Sequence, residues 1–497
     1  MKKHLEITGA PRLQLVVGCL ALLVFGTASC QSVVEKDQPA YNIVFFLVDD
    51  MGYADIGPYG NTYHKTPNLD QLAAAGMLFT DAYAAAPNCS PTRASILTGK
   101  WPARTGITQY LPGNVLPYAK LKQPALPKGL PLDETIIAEP LKAAGYATAS
   151  IGKWHLGGGR YAPEARGFDV AFAGGHWNAH ERMFAPHAYV DVPDAKEGDY
   201  LTDRLTEEAM SFIDDNKDQP FFLYLPYYAI HSPIEAKQDL IDGYAGVIDE
   251  SGRNNATYAA MVEGVDQSVG RILAQLDQLQ LAEQTVVIFF SDNGGVRSRA
   301  FNGPFRSGKG FLWEGGIREP LIVRWPGKVG AATQTTVPVT SVDFYPTILE
   351  IAGAKDIAGH ESDGLSLVPL LEGNEGWSRD AIYWHYPHYS NAGATPTAAI
   401  RVEDWKLMAF FEDGHFELFN LVDDPGETTD VSAEEAERTR VMAEKLADWQ
   451  RAVHAKPALV NPQYDASLSK KAGLRYKAEW DENQPLVNPE VLEWVKD

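Results

Sequence analysis

Short runs of apolar residues alternate along much of the chain with stretches of helical periodicity. The runs 42–48 (NIVFFLV) and 285–290 (TVVIFF) are rich in β-branched and aromatic residues and end in polar turn residues. Such runs are typical of strands buried on both faces, as in a parallel sheet. Further strands are predicted at 146–151 and 221–225, and helices at 67–75, 135–144, 201–216 and 258–280. This alternation predicts a doubly wound α/β domain with a large mixed or parallel sheet.

The pattern changes near residue 375. Short aromatic segments follow, with a tight Glu412-Asp413-Gly414 turn between the last two, and a helical stretch comes after them at 433–453. This order predicts a smaller α+β domain that combines an antiparallel sheet with a helix. We therefore expect the larger domain, with the chemistry, at residues 38–375, and the smaller domain with a tail at residues 376–497.

The first 29 residues have the pattern of a signal peptide. Basic residues precede an apolar run at 13–25, which is too short to span a bilayer comfortably, and small residues lead to Cys30. The sequence Thr-Ala-Ser-Cys resembles a bacterial lipobox, whose cysteine is lipidated after cleavage; plain secretion is the alternative. We expect an exported protein of the bacterial periplasm or cell envelope that meets the membrane only through a lipid anchor on Cys30.

Net charge narrows the choice of partners. The chain has 43 basic and 65 acidic residues, giving a formal net charge of −22. Nucleic acid is excluded as an expected partner, because binding to its backbone relies on clustered lysine and arginine. A small anionic substrate is compatible with this charge only if a few cations or a metal are concentrated locally.

Acidic pairs follow two of the predicted strands, Asp49-Asp50 after the first and Asp292-Asn293 after the later one. Ligands bind beyond the carboxyl ends of strands in open α/β sheets, so both pairs can meet in one crevice. All-oxygen ligands favour Ca²⁺ or Mg²⁺ over Zn²⁺. The alternative is that these residues are ordinary strand-end turns or helix caps.

Basic residues also follow strand-like runs: Lys153 and His155 in GKWHLG, His231 in YAIHSP, and Lys309 in a glycine-rich loop. Each alone is more typical of a solvated charge or a hydrogen-bonded structural histidine. Lys153 and His155 would lie on the same side if the strand before them continues. Together, in an acidic protein, these residues predict a pocket for an anion with several oxygens.

Cys89 lies in NCSPTRASILTGK. Pro91 suits the first turn of a helix that Gly99 ends, so Cys89 is predicted at a helix N-terminus, where the dipole favours an anion. Arg93 follows about one turn later. Cys19 would leave with the signal peptide and Cys30 would be acylated, so Cys89 has no disulfide partner. An exported, unpaired reactive thiol is prone to oxidation.

These motifs together resemble the type I, formylglycine-dependent sulfatases of the alkaline phosphatase superfamily. The signature Cys-x-Pro-x-Arg, followed by Leu-Thr-Gly, is matched by Cys89, Pro91, Arg93 and residues 97–99. The resemblance extends over most of the chain: it includes the Asp49-Asp50 strand end, GKWHLG, His231 before Ser-Pro, SDNGG, Lys309, GIREPLIVRWPG and ELFNLVDDPGE.

The resemblance implies the chemistry of each position. Cys89 would be oxidised by a formylglycine-generating enzyme to formylglycine, whose hydrate is the nucleophile. One divalent cation, Ca²⁺ or alternatively Mg²⁺, would be held by Asp49, Asp50, Asp292, Asn293 and the modified Cys89. Arg93 would activate the nucleophile, and Lys153 and Lys309 would offset the charge on the sulfate. His231 would act as the general acid toward the leaving alcohol, and His155 would help to eliminate sulfate.

The expected function is therefore hydrolysis of sulfate esters, most plausibly of a sulfated carbohydrate. Two polar and aromatic clusters in predicted loops are candidates for sugar binding, His176, Trp177 and His180 in one and His385, His388 and Tyr389 in the other; loop packing is the alternative. The competing functions are a phosphonate monoester or phosphodiester hydrolase of the same superfamily and a non-catalytic glycan-binding surface lipoprotein.

Overall fold

The computed structural model describes residues 40–175, 182–187, 192–247, 255–374 and 376–469, together with strand segments at 474–475 and 490–491. The predicted signal peptide, Cys30 and the cluster of His176, Trp177 and His180 lie outside the described residues.

Strands and helices alternate through the first part of the described chain. The strands are β1 (Asn42–Val48), β2 (Met77–Tyr83), β3 (Asn114–Val115), β4 (Leu121–Lys122), β5 (Ala147–Ile151), β6 (Val170–Phe172), β7 (Phe221–Pro226), β8 (Thr285–Ser291), β9 (Arg318–Arg324), β10 (Thr333–Thr335), β11 (Val339–Thr340), β12 (Ile382–Tyr386), β13 (Thr397–Val402), β14 (Trp405–Phe410), β15 (Phe416–Asn420), β16 (Leu459–Val460), β17 (Leu474–Arg475) and β18 (Glu490–Val491). The helices are α1 (Pro67–Ala74), α2 (Cys89–Thr98), α3 (Pro102–Thr105), α4 (Ala138–Ala143), α5 (Leu201–Asp215), α6 (Gln238–Asp242), α7 (Ala256–Gln278), α8 (Glu314–Ile317), α9 (Phe344–Ala352), α10 (Val368–Leu371) and α11 (Ala436–Ala452).

A large mixed sheet forms the centre of the fold. Its strand order is β10-β2-β9-β8-β1-β7-β5-β6, with β11 also paired to β2. Strand β1 runs parallel to both β7 and β8, whereas β9 runs antiparallel to β8 and β2. The predicted doubly wound α/β domain with a mixed sheet is confirmed.

Two apolar layers cover the faces of this sheet, and β1 contributes alternately to both. Val44, Phe46 and Val48 pack into the layer that contains α5 and α7. Ile43, Phe45 and Leu47 pack into the layer that contains α2 and α9. Every residue of β1 is therefore buried, which explains why its sequence is continuously apolar rather than alternating.

The C-terminal part contains a separate four-stranded antiparallel sheet with the order β12-β13-β14-β15. Helix α11 covers it through Met442 and Leu446. The predicted combination of an antiparallel sheet with one helix is confirmed, while the domain boundary near residue 375 stays a prediction. Beyond α11, β16 pairs with β4. Among the described residues, no helix is both long and apolar enough to cross a membrane.

Candidate active site

A cluster of acidic side chains lies where β1 and β8 end. The two strands are parallel neighbours with Val48 opposite Ser291, so Asp49 and Asp292 leave the sheet at the same edge. The backbone turns at Asp50, which has φ +65°, and its N–H donates to Asp292 Oδ1 at 3.3 Å. One ligand atom from each of Asp49, Asp50, Cys89 and Asp292 lies within 4.8 Å of the others. The predicted meeting of the two acidic pairs therefore occurs.

Cys89 is the first residue of α2, and the whole helix is buried. Its thiol donates to Asp49 Oδ1 at 3.3 Å, and its Sγ lies 3.5 Å from Lys153 Nζ and 3.6 Å from Lys309 Nζ. Burial, and after it the charge of Asp49, raises the pKa of the thiol well above its usual range despite the two lysines. This shift favours the neutral thiol over the thiolate that direct thiol catalysis needs.

Arg93 lies one turn along α2 and is fully buried. Its Nε and Nη2 donate to Asp292 Oδ2 at 2.9 and 2.7 Å. Its Nη1 donates to the backbone carbonyl of Lys153 at 2.6 Å. Arg93 thus connects the helix of Cys89 to both the β8 end and the β5 end of the site.

Lys153 and Lys309 bring two more cations to the cluster. Lys153 Nζ contacts Asp49 Oδ2, and Lys309 Nζ lies 2.6 Å from Asp50 Oδ1. The prediction that Lys153 and His155 lie on the same side of a continued strand is wrong, because β5 ends at Ile151. Gly152 follows with φ +122°, and a Cβ there would lie 2.0 Å from the carbonyl oxygen of Pro226. A glycine-dependent turn, rather than a continued strand, positions Lys153.

His155 is fully buried beside the cluster with φ +58°. Its Nε2 lies 2.7 Å from the carbonyl oxygen of Leu111, so Nε2 carries the proton and donates. Its Nδ1 has no hydrogen-bond partner among the described residues. Burial and the charge of Lys153 lower the pKa of His155 well below its usual range. His155 is therefore a neutral imidazole whose Nδ1 can accept a hydrogen bond.

His231 is the less buried histidine of the site, with 15% of its side chain exposed. Its Nδ1 donates to the carbonyl of Ser232 at 2.8 Å, which leaves Nε2 unprotonated, 3.8 Å from Asp50 Oδ2. Burial and the charge of Lys309 lower its pKa to about 4. Before His231 can serve as a general acid, a bound anion must raise this pKa; that role stays a prediction.

The donor set fits a hard divalent cation. Asp50 Oδ2 and Asn293 Oδ1 are buried oxygens without a hydrogen-bond partner among the described residues. Asn293 is positioned by its Nδ2, which donates to Asp50 Oδ1 at 2.8 Å. Burial and the nearby charge of Asp49 raise the pKa of Asp292 to about 6, although Arg93 is paired with it. Carboxylate and amide oxygens in this state are suitable ligands for Ca²⁺ or Mg²⁺.

The two histidines predicted to contact sugar have other partners here. His385 lies within β12, and its Nε2 is 2.9 Å from the carbonyl of Lys456. His388 is buried, with Nε2 2.7 Å from Thr108 Oγ1 and Nδ1 3.3 Å from Gln123 Oε1. Burial lowers the pKa of His388 to about 3, so the ring is neutral. Their role in substrate binding stays a prediction.

A cleft beside Lys309 contains residues that the sequence did not single out. Tyr110, Arg297, Ser298 and Asn391 line it. Asn391 belongs to the same WHYPHYSNAG segment as His385 and His388. The segment predicted to bind sugar therefore reaches this cleft through Asn391, but no periodicity or motif in the sequence distinguishes that residue.

A family model described as Sulfatase matches residues 41–354, and a second, described as N-sulphoglucosamine sulphohydrolase, C-terminal, matches residues 306–452. The chain is 33% identical over 509 residues to a sulfatase of Formosa agariphila, covering 86% of this chain and 90% of the relative. It is 35% identical over 409 residues to the N-acetylgalactosamine-6-sulfatase of Mus musculus, covering 76% and 73%.

Solved structures also match this chain. The crystal structure of Ps i-CgsB in complex with k-i-k-neocarrahexaose matches with a TM-score of 0.73 and 32% identity, covering 86% of this chain and 96% of the other. The phosphonate monoester hydrolase of Agrobacterium radiobacter matches with a TM-score of 0.61 at 21% identity, which indicates a shared fold.

Proposed function

The chain belongs to the sulfatase family and hydrolyses sulfate esters, and we propose that its substrate is a sulfated carbohydrate and its nucleophile a formylglycine made from Cys89. The observation that carries this proposal is the position of Cys89. Its neutral thiol lies among three carboxylates and two lysines at the N-terminus of a buried helix.

The charges support an anionic ligand. Asp49, Asp50 and Asp292 carry three negative charges when ionised, and Arg93, Lys153 and Lys309 carry three positive ones. A divalent cation held by Asp49, Asp50, Asp292, Asn293 and the modified Cys89, with Ca²⁺ the first choice and Mg²⁺ the alternative, gives this neutral set a net positive charge. When bound, that cation supplies Lewis acidity and attracts the sulfate oxygens.

The protein's own residues then have distinct roles. Lys153 and Lys309, each within 3.6 Å of Cys89 Sγ, are close enough to bind oxygens of a sulfate placed at that position. Arg93 orients Asp292 and the start of α2. His155 would accept a hydrogen bond at Nδ1 from a hydroxyl of the formylglycine hydrate and help to eliminate sulfate, since its Nε2–H donates to the carbonyl of Leu111. His231 is the candidate proton donor to the leaving alcohol once the bound anion raises its pKa.

The modification is tested by mass spectrometry of the peptide that spans Cys89. Conversion of the thiol to an aldehyde lowers the peptide mass by about 18 Da. We expect this loss when the protein is produced with a formylglycine-generating enzyme and the unmodified mass without one. Equal sulfate release by the wild type and Cys89→Ala would contradict the proposed nucleophile.

The substrate class is tested with a panel of sulfated mono- and oligosaccharides, with the released sulfate quantified. Relatives named N-acetylgalactosamine-6-sulfatase and a solved neighbour in complex with a neocarrahexaose support sulfated sugars as the first compounds to assay. Paired aryl sulfate and aryl phosphonate esters test the phosphonate hydrolase alternative, and a clear preference for the phosphonate would overturn the proposal. Sulfate release at any catalytic rate excludes the non-catalytic lipoprotein.

Export through residues 1–29 and lipidation at Cys30 remain part of the proposal. In a bacterial host we expect the mature protein in the envelope fraction. Cys30→Ser is expected to release it into the soluble periplasmic or secreted fraction without changing its activity. If the wild type and Cys30→Ser fractionate alike, there is no lipid anchor at Cys30.

A further inference from the structure

The cleft beside Lys309 differs in charge from the rest of this acidic protein. It has a volume of about 610 Å³, within the usual range for ligand pockets. Its lining includes Arg297 and Lys309, and no aspartate or glutamate is among the described residues that line it. Because 65 of the 497 residues are acidic, a cleft with two cations and no carboxylate is suited to an anion.

Arg297 is the cation of this cleft that has no partner among the described residues. Lys309 is already paired with Asp50 at 2.6 Å. Arg297 is exposed, and within the described part of the chain its guanidinium makes no hydrogen bond, ion pair or ring contact. An arginine that is not paired retains all of its donors for a planar or tetrahedral oxyanion.

The backbone holds Arg297 next to the reacting groups. It lies in a turn at residues 295–300, in which the Ala300 N–H donates to the Val296 carbonyl at 3.0 Å. On one side, the N–H of Lys309 donates to the carbonyl of Gly295 at 3.1 Å. On the other side, Arg299 Nη2 donates to Ser232 Oγ, beside His231, at 2.7 Å. The turn therefore connects the loops that carry the proposed sulfate-binding lysine and the proposed acid.

We propose that Arg297 binds a second anionic group of the substrate, a sulfate ester or a carboxylate, beside the sulfate that is removed. This inference rests on the proposed function and narrows it from sulfated sugars in general to polyanionic ones. Neutral polar side chains in the same cleft, among them Tyr110, Ser298 and Asn391, are suited to the sugar hydroxyls. A cation that contacts only the second anionic group of the substrate affects substrate binding and not the reaction at the first sulfate. It should therefore change KM and leave kcat unchanged.

The test compares substrates that differ only in the second anion. The monosulfated probe is N-acetylgalactosamine 6-sulfate. It is compared with two dianionic compounds. One is N-acetylgalactosamine 4,6-disulfate, and the other is the disaccharide in which a hexuronate is joined to the 6-sulfated sugar. D-glucosamine 6-O-sulfate and D-glucosamine 2-N,6-O-disulfate form a second pair. The kcat and KM are measured for the wild type, Arg297→Ala, Arg297→Lys and the control Arg271→Ala, an exposed arginine of α7 that does not line the cleft.

We expect Arg297→Ala to raise KM for at least one dianionic partner by ~10-fold, the usual effect of losing a hydrogen bond to a charged group. KM for the monosulfated probe and kcat for all probes should change less than twofold, and Arg297→Lys should recover part of the loss. An effect confined to the disulfates identifies a sulfate, and one confined to the hexuronate disaccharide identifies a carboxylate.

Two outcomes overturn the inference. One is an equal change of KM for monosulfated and dianionic probes, and the other is an Arg297→Ala enzyme indistinguishable from Arg271→Ala. If the wild type releases sulfate neither from these sugars nor from the wider panel that tests the proposed function, the proposed carbohydrate substrate itself fails. That result differs from the other two because it is already visible before any Arg297 variant is made.

Discussion

Lys406→Met should uncouple the C-terminal sheet from the loop that carries Lys309. Lys406 lies in β14 with its side chain fully buried, 2.9 Å from Glu314 Oε1 and 2.8 Å from Glu427 Oε1. Glu427 in turn accepts the backbone N–H of Glu314 at 2.6 Å, and its carbonyl accepts Arg306 Nη1 at 2.9 Å. The segment 306–314, which includes Lys309, is thus held at both ends by Glu427.

The cost of the substitution falls mainly on Glu427. Glu314 retains the hydroxyl of Tyr83 at 2.6 Å and Arg318 at 3.3 Å. Among the described residues, the Glu427 carboxylate then keeps only the backbone N–H of Glu314 as a partner. Removal of one partner of a buried ion pair costs about 3–5 kcal/mol when the remaining charge stays ionised. Burial, together with the charge of Glu314, raises the pKa of Glu427 to about 7 even with Lys406 present. Protonation of Glu427 therefore relieves part of this cost.

The pH dependence follows from the sign of that shift. When a glutamate has a higher pKa in the folded protein than in the unfolded chain, the free energy of unfolding falls as pH increases. The fall extends from the unfolded pKa of ~4.5 up to the folded pKa. For the wild type this loss ends near pH 7, where Glu427 ionises beside Lys406. In Lys406→Met the pKa of Glu427 is higher still, so the loss continues. We expect the variant to lose at least ~2 kcal/mol at pH 6 and about 1 kcal/mol more at pH 8.

Urea denaturation of the wild type and Lys406→Met at pH 6 and pH 8 measures this free energy of unfolding. Lys217→Met, which removes an exposed lysine from an ion pair with Asp214, is the matched control and should change it by less than ~0.5 kcal/mol. Lys406→Met with Glu427→Gln should regain most of the loss, since no buried charge is then left without a partner. Displacement of Lys309 should also lower kcat by ~10-fold or more. A Lys406→Met protein as stable as the control, or a loss that does not grow with pH, would refute the reasoning.

Three further predictions concern the turn after β5, a buried histidine and the cation. Gly152→Ala should lower the free energy of unfolding by several kcal/mol and abolish activity, because its Cβ would lie 2.0 Å from the carbonyl oxygen of Pro226. The control is Gly145→Ala, at a position with positive φ where a Cβ would have no atom within 4 Å. It should lower the free energy of unfolding in urea by only ~1 kcal/mol. His388 stays neutral in the fold down to its pKa of about 3 but titrates near 6.5 when unfolded, so stability should fall with decreasing pH by ~2 kcal/mol at pH 5. His388→Gln should remove most of this acid sensitivity in thermal melts between pH 7 and pH 5, and an unchanged slope would argue against it. Removal of the cation with a chelator should lower the melting temperature and stop sulfate release. Addition of Ca²⁺ at ~100 times its Kd should restore ~2.7 kcal/mol to the free energy of unfolding. A melting temperature that changes with neither the chelator nor Ca²⁺ would contradict a cation at Asp49, Asp50 and Asp292.

Much of the scaffold is determined by local sequence pattern. Strand β1 has the predicted bounds, because Asn42 and the six consecutive apolar residues after it, rich in β-branched and aromatic types and followed by a polar turn, are typical of a strand buried on both faces. The carboxylate cluster was predictable for the same reason, since parallel neighbours β1 and β8 end at one edge. Cys89 at the start of a helix followed from Pro91 and Gly99.

The features that could not be predicted depend on contacts between distant parts of the chain. The turn at Gly152 is required by the carbonyl of Pro226, 74 residues later. Lys406, read locally, is one polar residue in an aromatic strand, and only its meeting with Glu314 makes it a buried cation. Arg297 looks like a solvated charge until the loop with Lys309 is placed beside it.

The net charge of −22 does not conflict with an anionic substrate, because surface charges and the charges inside the site act over different distances. Surface carboxylates are screened by salt beyond a Debye length of ~8 Å. Inside the site, Asp49 and Lys153 are fully buried, and Lys153 and Lys309 lie only 3.5 and 3.6 Å from Cys89 Sγ. Charges this close contribute more than distant surface carboxylates to the potential that a sulfate meets at that atom. The same aspartates that hold these lysines also form the proposed cation site, so neither set of charges can be changed alone. Arg297 lies outside this closed set of ion pairs, and a substitution there can alter substrate choice while the chemistry stays intact.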